Sequence, residues 1–348
     1  MLRAIDANLN RAREGLRVLE EVARFALDDA ALTACFKGLR HRLAVDDETS
    51  NTLLGSRQAT KDHAAFLNPL AEMSRRDTNA LVLANAKRVQ ESLRVLEELT
   101  KLPGVRLPSN ADLYKEIRFA VYQLEKDLID GLMRREKTAR VRGLYVIVDQ
   151  QMTIGRPLVE VAKAAIAGGA SVIQYREKKA GKGLMLAMAR ELKEVCAASN
   201  VLFIVNDHVD VAIAAHADGV HVGQKDLPAA VAREMLPLGM ILGCSTAVVA
   251  EARKAELDGA DYVGVGAMFP TATKDDSRPA GPDILREVKN AVRLPVIAIG
   301  GINEGNVRQV VDAGADGVAV ISAVVSAPDV AKAARRLCDL MRLDLGEA

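Results

Sequence analysis

Residues 201–222, VLFIVNDHVDVAIAAHADGVHV, decide the fold class. Two short β-branched runs, Leu202–Val205 and Gly219–Val222, flank an Ala-rich stretch, and neither run alternates apolar with polar residues. Continuous apolar strands bounded by Gly belong to a parallel sheet covered by helices on both faces. The same unit recurs in both directions along the chain. Further runs lie at Leu144–Val148, Ser171–Tyr175, Met240–Cys244, Tyr262–Val265, Val296–Ile299 and Gly317–Ile321. Stretches of helical period lie between them at Leu158–Ala167, Leu184–Ala198, Ala247–Leu257 and Asn306–Ala313. Eight βα units in about 205 residues predict an α/β fold, a compact (β/α)8 TIM barrel. A doubly wound open sheet is the alternative.

Upstream of residue 143 the chemistry changes. Only five of the 25 glycines lie in residues 1–142. That part carries 25 Lys+Arg against 21 Asp+Glu, or +4, and the remainder 22 against 25, or −3. Apolar residues recur at three- and four-residue spacing through Leu9, Ala12, Leu16, Leu19 and Ala23, which predicts amphipathic helices. Residues 7–21 (ANLNRAREGLRVLEE) and 84–98 (ANAKRVQESLRVLEE) share ten of fifteen positions at an offset of 77, so two related helices are expected to pack about a pseudo-twofold axis. Asn8/Asn85, Arg11/Arg88, Glu14/Glu91 and Arg17/Arg94 also recur. They form either a solvated face with i,i+4 pairs such as Arg17–Glu21 and Arg94–Glu98, or a polar pocket. A third long helix is predicted from Ala111 to Arg135. The charged segment 133–142 marks the boundary, giving an all-helical domain at 1–138 and a barrel domain at 143–348.

The balance of 47 basic against 46 acidic residues leaves a formal charge of +1, with no electrostatic footprint for nucleic acid or an anionic membrane. Aromatics are 3% and Trp is absent, which disfavours base-stacking platforms. Cys35, Cys196, Cys244 and Cys338 are widely spaced and the chain starts without an apolar signal region, so reduced thiols in the cytoplasm are expected. No apolar run approaches the ~20 residues needed to span a bilayer. Small molecules are the expected partners, and a homo-oligomer is compatible with the sequence.

In such a barrel, function lies at the C-terminal ends of the strands. The second run closes in Gln174-Tyr-Arg-Glu-Lys178, and period 2 puts Gln174, Arg176 and Lys178 on one side if the strand continues that far. This is either a donor cluster suited to a polyphosphate or a surface charge run. Asp207 follows the third run and Asp226 the fourth. Two carboxylates with a diphosphate can hold magnesium, although each Asp alone could cap a helix or form a turn. Ser245 ends the fifth run as a ligand contact or a helix cap. The polar loop 269–276 supplies Thr271, Thr273 and Lys274. Gly300-Gly301 and Ile321-Ser322 end the last two runs, where these barrels commonly bind a monophosphate. His208, His216 and His221 lack metal spacing, and His221 reads as a satisfied interior side chain. No Ser/His/Asp grouping or G-x-S-x-G elbow supports acyl transfer.

The stretches GLYVIVD, QYREK, FIVNDHVDVA, DGVHVGQKDLP, ILGCST, GADYVGVGAMFPTATK, PVIAIGGI and GVAVIS together resemble the thiamine-phosphate synthase family over nearly all of residues 143–335. The resemblance implies that a 4-amino-2-methyl-5-(diphosphooxymethyl)pyrimidine reacts with a thiazole phosphate carboxylate, yielding thiamine phosphate, diphosphate and carbon dioxide. It places Gln174, Arg176, Lys178, Asn206, Ser245 and Lys274 on the pyrimidine diphosphate, with Tyr175 and Glu177 in the same motif. Arg176, Lys178 and Lys274 would be catalytic, and Asp207 and Asp226 would bind Mg2+. Thr271, Ala272, Thr273, Gly301, Ile321 and Ser322 would hold the thiazole phosphate. Ala247 and Tyr175 depart from residues often found in relatives. A thiazole tautomerase on the same fold is the alternative activity. The stretch AIDANLNRAREGLRVLEEVARF resembles a domain fused ahead of bacterial thiamine-phosphate synthases, suggested to phosphorylate the pyrimidine monophosphate. A non-catalytic dimerisation or binding module is the competing role, and no phosphate-binding G-x-x-x-x-G-K-[ST] loop is present.

Overall fold

The computed structural model describes residues 1–57, 74–103, 109–271 and 279–342. The chain divides into two units, Met1–Leu132 and Met133–Ala348.

The first unit is helical. Helix α1 (Leu2–Glu21) leads through a π turn to α2 (Ala30–Arg42) and α3 (Asp47–Gly55), followed by α4 (Thr78–Leu99) and α5 (Ala111–Thr138). Asp29, Asp46 and Asp77 cap α2, α3 and α4, accepting N–H bonds from Leu32, Thr49 and Ala80 at 2.9, 2.7 and 2.7 Å. The repeat becomes a packing fact. Ile5, Leu9, Ala12, Leu16 and Leu19 of α1 are buried, and so are their counterparts Val82, Ala86, Val89, Leu93 and Leu96 of α4. Gly15 lets the two helices close: a Cβ there would lie 2.6 Å from Val89 Cγ2 and 3.2 Å from the Asn85 carbonyl oxygen.

Among the described residues the recurring polar side chains do not converge on a pocket. Asn8 and Asn85 each donate to the carbonyl four residues back, at 2.8 Å. Arg11, Glu14, Arg88 and Glu91 are exposed. Arg17–Glu21 and Arg94–Glu98 form the expected i,i+4 pairs. The structure adds a buried carboxylate to each: Glu20 binds Arg17 and Arg40, and Glu97 binds Arg94 and Arg118.

The second unit begins inside α5, at Met133. The last turn of α5 belongs to it because Arg134 pairs with Asp261 at 2.6 Å, Lys137 with Asp218 at 3.7 Å, and a Cβ on Gly239 would sit 2.9 Å from Met133 Cβ.

Eight parallel strands then close into a barrel in sequence order: β1 (Gly143–Asp149), β2 (Val172–Arg176), β3 (Leu202–Asn206), β4 (Gly219–Val222), β5 (Ile241–Thr246), β6 (Tyr262–Val265), β7 (Val296–Ile299) and β8 (Gly317–Val320). Closure is set by β8 pairing back on β1, with Gly317 opposite Gly143. This excludes the open-sheet alternative. Both strand faces are buried, as the unbroken apolar runs require. Tyr145, Ile147, Val172, Leu202, Ile204, Ile241, Tyr262, Ile297 and Ala319 fill the interior. Alternate residues such as Val146, Ile173, Phe203 and Val205 pack against the surrounding helices. Those helices are α6 (Leu158–Ala167), α7 (Lys182–Ala198), α8 (Val209–Ala214), α9 (Ala229–Met235), α10 (Val249–Leu257), α11 (Gly281–Ala291), α12 (Val307–Asp312), α13 (Ser322–Val325) and α14 (Val330–Arg342). Among the described residues no helix is long and apolar enough to cross a membrane, and the four cysteines are free thiols.

Candidate active site

Strand period 2 decides which side chains reach the barrel mouth. On β2, Gln174 and Arg176 share the inward face with Val172, whereas Tyr175 belongs to the core between strands and helices. Tyr175 is therefore turned away from the barrel interior. Burial, then the charges of Glu177 and Asp149, push its phenol up to about 12.

The strand ends at Arg176 and does not reach Lys178. Glu177 terminates it: one carboxylate oxygen accepts the N–H groups of Lys178, Lys179 and Ala180 at 2.8, 2.7 and 3.2 Å. Burial acts to raise the Glu177 pKa, and these three donors outweigh it, so the carboxyl titrates below its usual range. Glu177 shapes the loop that carries Lys178. Arg176 pairs with Asp149, the last residue of β1, whose side chain is only 4% exposed and which also accepts the Gln151 N–H at 2.9 Å. The register places Asp149 directly opposite Arg176. Asp149 was not singled out from sequence, although it closes the first apolar run as Asp207 follows the third.

Asp207 follows β3 with φ +61°, a left-handed conformation that Asp tolerates better than most residues. Its N–H donates to the His221 carbonyl at 2.8 Å, tying the turn to β4. Asp226 accepts the Gly223 N–H at 2.8 Å in the loop after β4. Burial first, then the hydrogen bond and charge of Asp226, raise the Asp207 pKa to about 7, while Lys178 and Arg176 act to lower it. Two carboxylates and two cations from three strand ends thus share one electrostatic neighbourhood. Among the described residues no three His, Cys, Asp or Glu side chains form a metal cluster. Two carboxylates suit Mg2+, which commonly takes one or two protein carboxylates and completes its shell with water and substrate phosphates.

Asn206 ends β3 opposite His221. Ser245 of β5 is hydrogen-bonded to His221 Nε2 at 2.9 Å, and His221 Nδ1 lies 3.2 Å from the Tyr262 hydroxyl. The Tyr262 and Tyr145 hydroxyls are 2.9 Å apart, and Gln174 Nε2 donates to Tyr145 at 2.8 Å. His221 is the satisfied interior side chain that the sequence suggested. Tyr145 and Tyr262 were not singled out. Burial raises the pKa of both phenols, so both are neutral hydroxyls.

On the opposite side of the mouth, Gly300 and Gly301 have φ +97° and +68°. A Cβ on Gly301 would lie 2.7 Å from the Phe269 and Pro270 carbonyl oxygens, so the close approach of the loop after β6 requires glycine there. Asn306 braces the turn by donating to the Gly301 carbonyl at 2.9 Å. Ile321 and Ser322 start the four-residue helix α13. Thr271 lies in the loop after β6, while Ala272, Thr273 and Lys274 fall outside the described residues.

Fold and site together define a (β/α)8-barrel enzyme whose charged groups stand at the C-terminal mouth. A thiamine monophosphate synthase family model matches residues 144–324, and a ThiD2 family model matches residues 3–127. The thiamine-phosphate synthase of Synechococcus sp. strain WH7803 is 42% identical over 97% of this chain and 96% of its own length. That of Thermosynechococcus vestitus is 41% identical over 99% and 95%. The solved thiamine phosphate pyrophosphorylase of Pyrococcus furiosus covers 60% of this chain and 100% of its own, with 42% identity and a TM-score of 0.56. The chain belongs to the thiamine-phosphate synthase family. The barrel is a transferase of thiamine-phosphate synthesis, and thiazole isomerisation on the same fold is not favoured.

Proposed function

We propose that the barrel displaces diphosphate from a 4-amino-2-methyl-5-(diphosphooxymethyl)pyrimidine with the ring nitrogen of a thiazole phosphate carboxylate. The observation that carries this reading is the meeting of Arg176 and Lys178 with the Asp207–Asp226 pair, drawn from three strand ends. The bond between the pyrimidine methylene and the diphosphate oxygen breaks, with its electron pair leaving on diphosphate. The thiazole nitrogen lone pair then forms the new carbon–nitrogen bond. The carboxylate departs as carbon dioxide, and a solvent proton takes its place.

Diphosphate leaves readily only when its growing charge is neutralised, a task for donors held in place beforehand. Arg176 is held by Asp149, and Lys178 by the Glu177-closed loop. Asp207 and Asp226 would hold Mg2+, which when bound would supply further neutralisation of the leaving group. Gln174, Asn206 and Ser245 would seat the pyrimidine, with Lys274 joining at the diphosphate. Thr271, Ala272, Thr273, Gly301, Ile321 and Ser322 would seat the thiazole phosphate, with Gly301 and Ser322 offering backbone N–H groups. Alkyl transfer by this route needs no general base, and no acid–base pair is assigned in the mouth.

Lys178→Ala and Asp207→Ala test the reading. Each is expected to lower diphosphate release from the two substrates about 10²–10³-fold, the usual cost of losing a preorganised charge partner, with unchanged circular dichroism. Wild-type turnover in either variant would overturn it.

A further inference from the structure

The hydrogen-bond chain inside the barrel carries more than packing. It runs from Gln174 Nε2 through the hydroxyls of Tyr145 and Tyr262 to His221 and ends at Ser245 Oγ, with links of 2.8, 2.9, 3.2 and 2.9 Å. Five residues on five strands take part, and the middle of the chain is sealed: Tyr145 is 3% exposed and Tyr262 fully buried. Glycine makes the room, since a Cβ on Gly243 would lie 2.2 Å from Tyr262 Cζ and 2.5 Å from His221 Nδ1.

Each tyrosine hydroxyl owns one proton, so the chain has a direction. Gln174 donates to Tyr145, whose proton goes to Tyr262. The Tyr262 proton goes to His221 Nδ1, which leaves the Nε2 proton for Ser245. A doubly protonated imidazole would set two donors against each other at one link. Ser245 then accepts from inside and keeps its own proton for a further acceptor, while the Gln174 amide keeps its oxygen as an acceptor. With Gln174 Nε2 on the Tyr145 hydroxyl, the two ends are opposite in character.

We propose that Tyr145, Tyr262 and His221 are positioning residues that hold Gln174 as an acceptor and Ser245 as a donor, so that the mouth selects an aminopyrimidine over its oxo analogue. A ring carrying an amino donor on one side and a ring-nitrogen acceptor on the other matches this pair. A ring whose amino group is replaced by a carbonyl presents an acceptor to an acceptor. The inference rests on the pyrimidine-diphosphate reading of the same site.

The experiment measures kcat and KM for the 4-amino and 4-oxo pyrimidine diphosphates in wild type, Tyr145→Phe, Tyr262→Phe and the double variant. Wild-type turnover of the amino substrate tests the underlying reading, and the variants test the chain. Each single variant is expected to raise the KM for the amino substrate about tenfold, the equivalent of one buried hydrogen bond, and to shrink the amino-over-oxo preference by a similar factor. The KM for thiazole phosphate should not move. Because both variants cut one chain, the double variant should cost no more than the worse single. An unchanged amino-over-oxo preference, or two fully additive effects, would overturn the proposal even where thermal stability falls.

Discussion

At the residue scale, Asp207 links the chemistry of the mouth to pH. Its pKa stands near 7 because it is buried and faces Asp226, so in the cation-free protein it holds a proton through much of the acid range. The folded value lies above the ordinary 3.8, so its protonated form is the one that folding favours. That contribution is fully present below about 4 and is lost as pH rises through about 7. A divalent cation held by this pair as proposed would need both carboxylates ionised and would displace the proton. Mg2+ affinity is therefore expected to tighten by up to about tenfold per pH unit below 7 and to level off above it. Titration calorimetry in two buffers of different ionisation enthalpy should record about one proton released per cation at pH 6. A flat affinity from pH 5.5 to 8 would show that Asp207 does not take part.

At the element scale, small residues on the barrel strands control what fits inside. Gly243 of β5 faces the fully buried Tyr262 ring, and neither neighbour can withdraw without breaking the hydrogen bond to His221. Gly243→Ala is expected to cost about 1–3 kcal/mol by overpacking. Gly183→Ala in α7, where a Cβ meets nothing within 4 Å, should be neutral or slightly stabilising in the same thermal melts. Equal melting temperatures for the two variants would contradict this packing account. The contrast also shows what the sequence could tell. Strand cores were legible because apolar β-branched runs bounded by Gly have few other solutions, and β4, β6 and β7 fall on the predicted residues. The end of β2 was not, because whether it reached Lys178 depended on a local bond from Glu177 to three backbone N–H groups. Asp207 and Asp226 were readable as strand-end carboxylates. Asp149 and the tyrosine pair were not, since their roles depend on contacts such as Tyr145 with Tyr262, 117 residues apart, and period 2 gives a face without naming the neighbour across the barrel.

At the scale of the whole molecule, the net charge of +1 cancels a basic helical part against an acidic barrel part. Neither surplus accounts for the proposed anion binding, which would rest on Arg176, Lys178 and the loops at the mouth. The surplus cations of the helical unit are partly committed to its own interior. Glu20 and Glu97 occupy equivalent places in the repeat, and each is gripped by one arginine on its own helix and one from another, Arg40 or Arg118. The Glu97 and Arg118 side chains are 8% and 13% exposed, so removing the carboxylate strands a nearly buried cation. Glu97→Ala is therefore expected to destabilise the helical unit by about 3–5 kcal/mol, far more than the ~0.3 kcal/mol of the exposed Arg94–Glu98 pair. The apolar core of the helical unit is distinct from the two cores of the barrel, so the loss should stay on one side of the division. Hydrogen exchange on the full chain should show amide protection falling in α1, α2, α4 and the first part of α5, with β1 to β8 unchanged. An equal loss across the strands would mean that the units unfold together and that the separate cores do not make separate folding units.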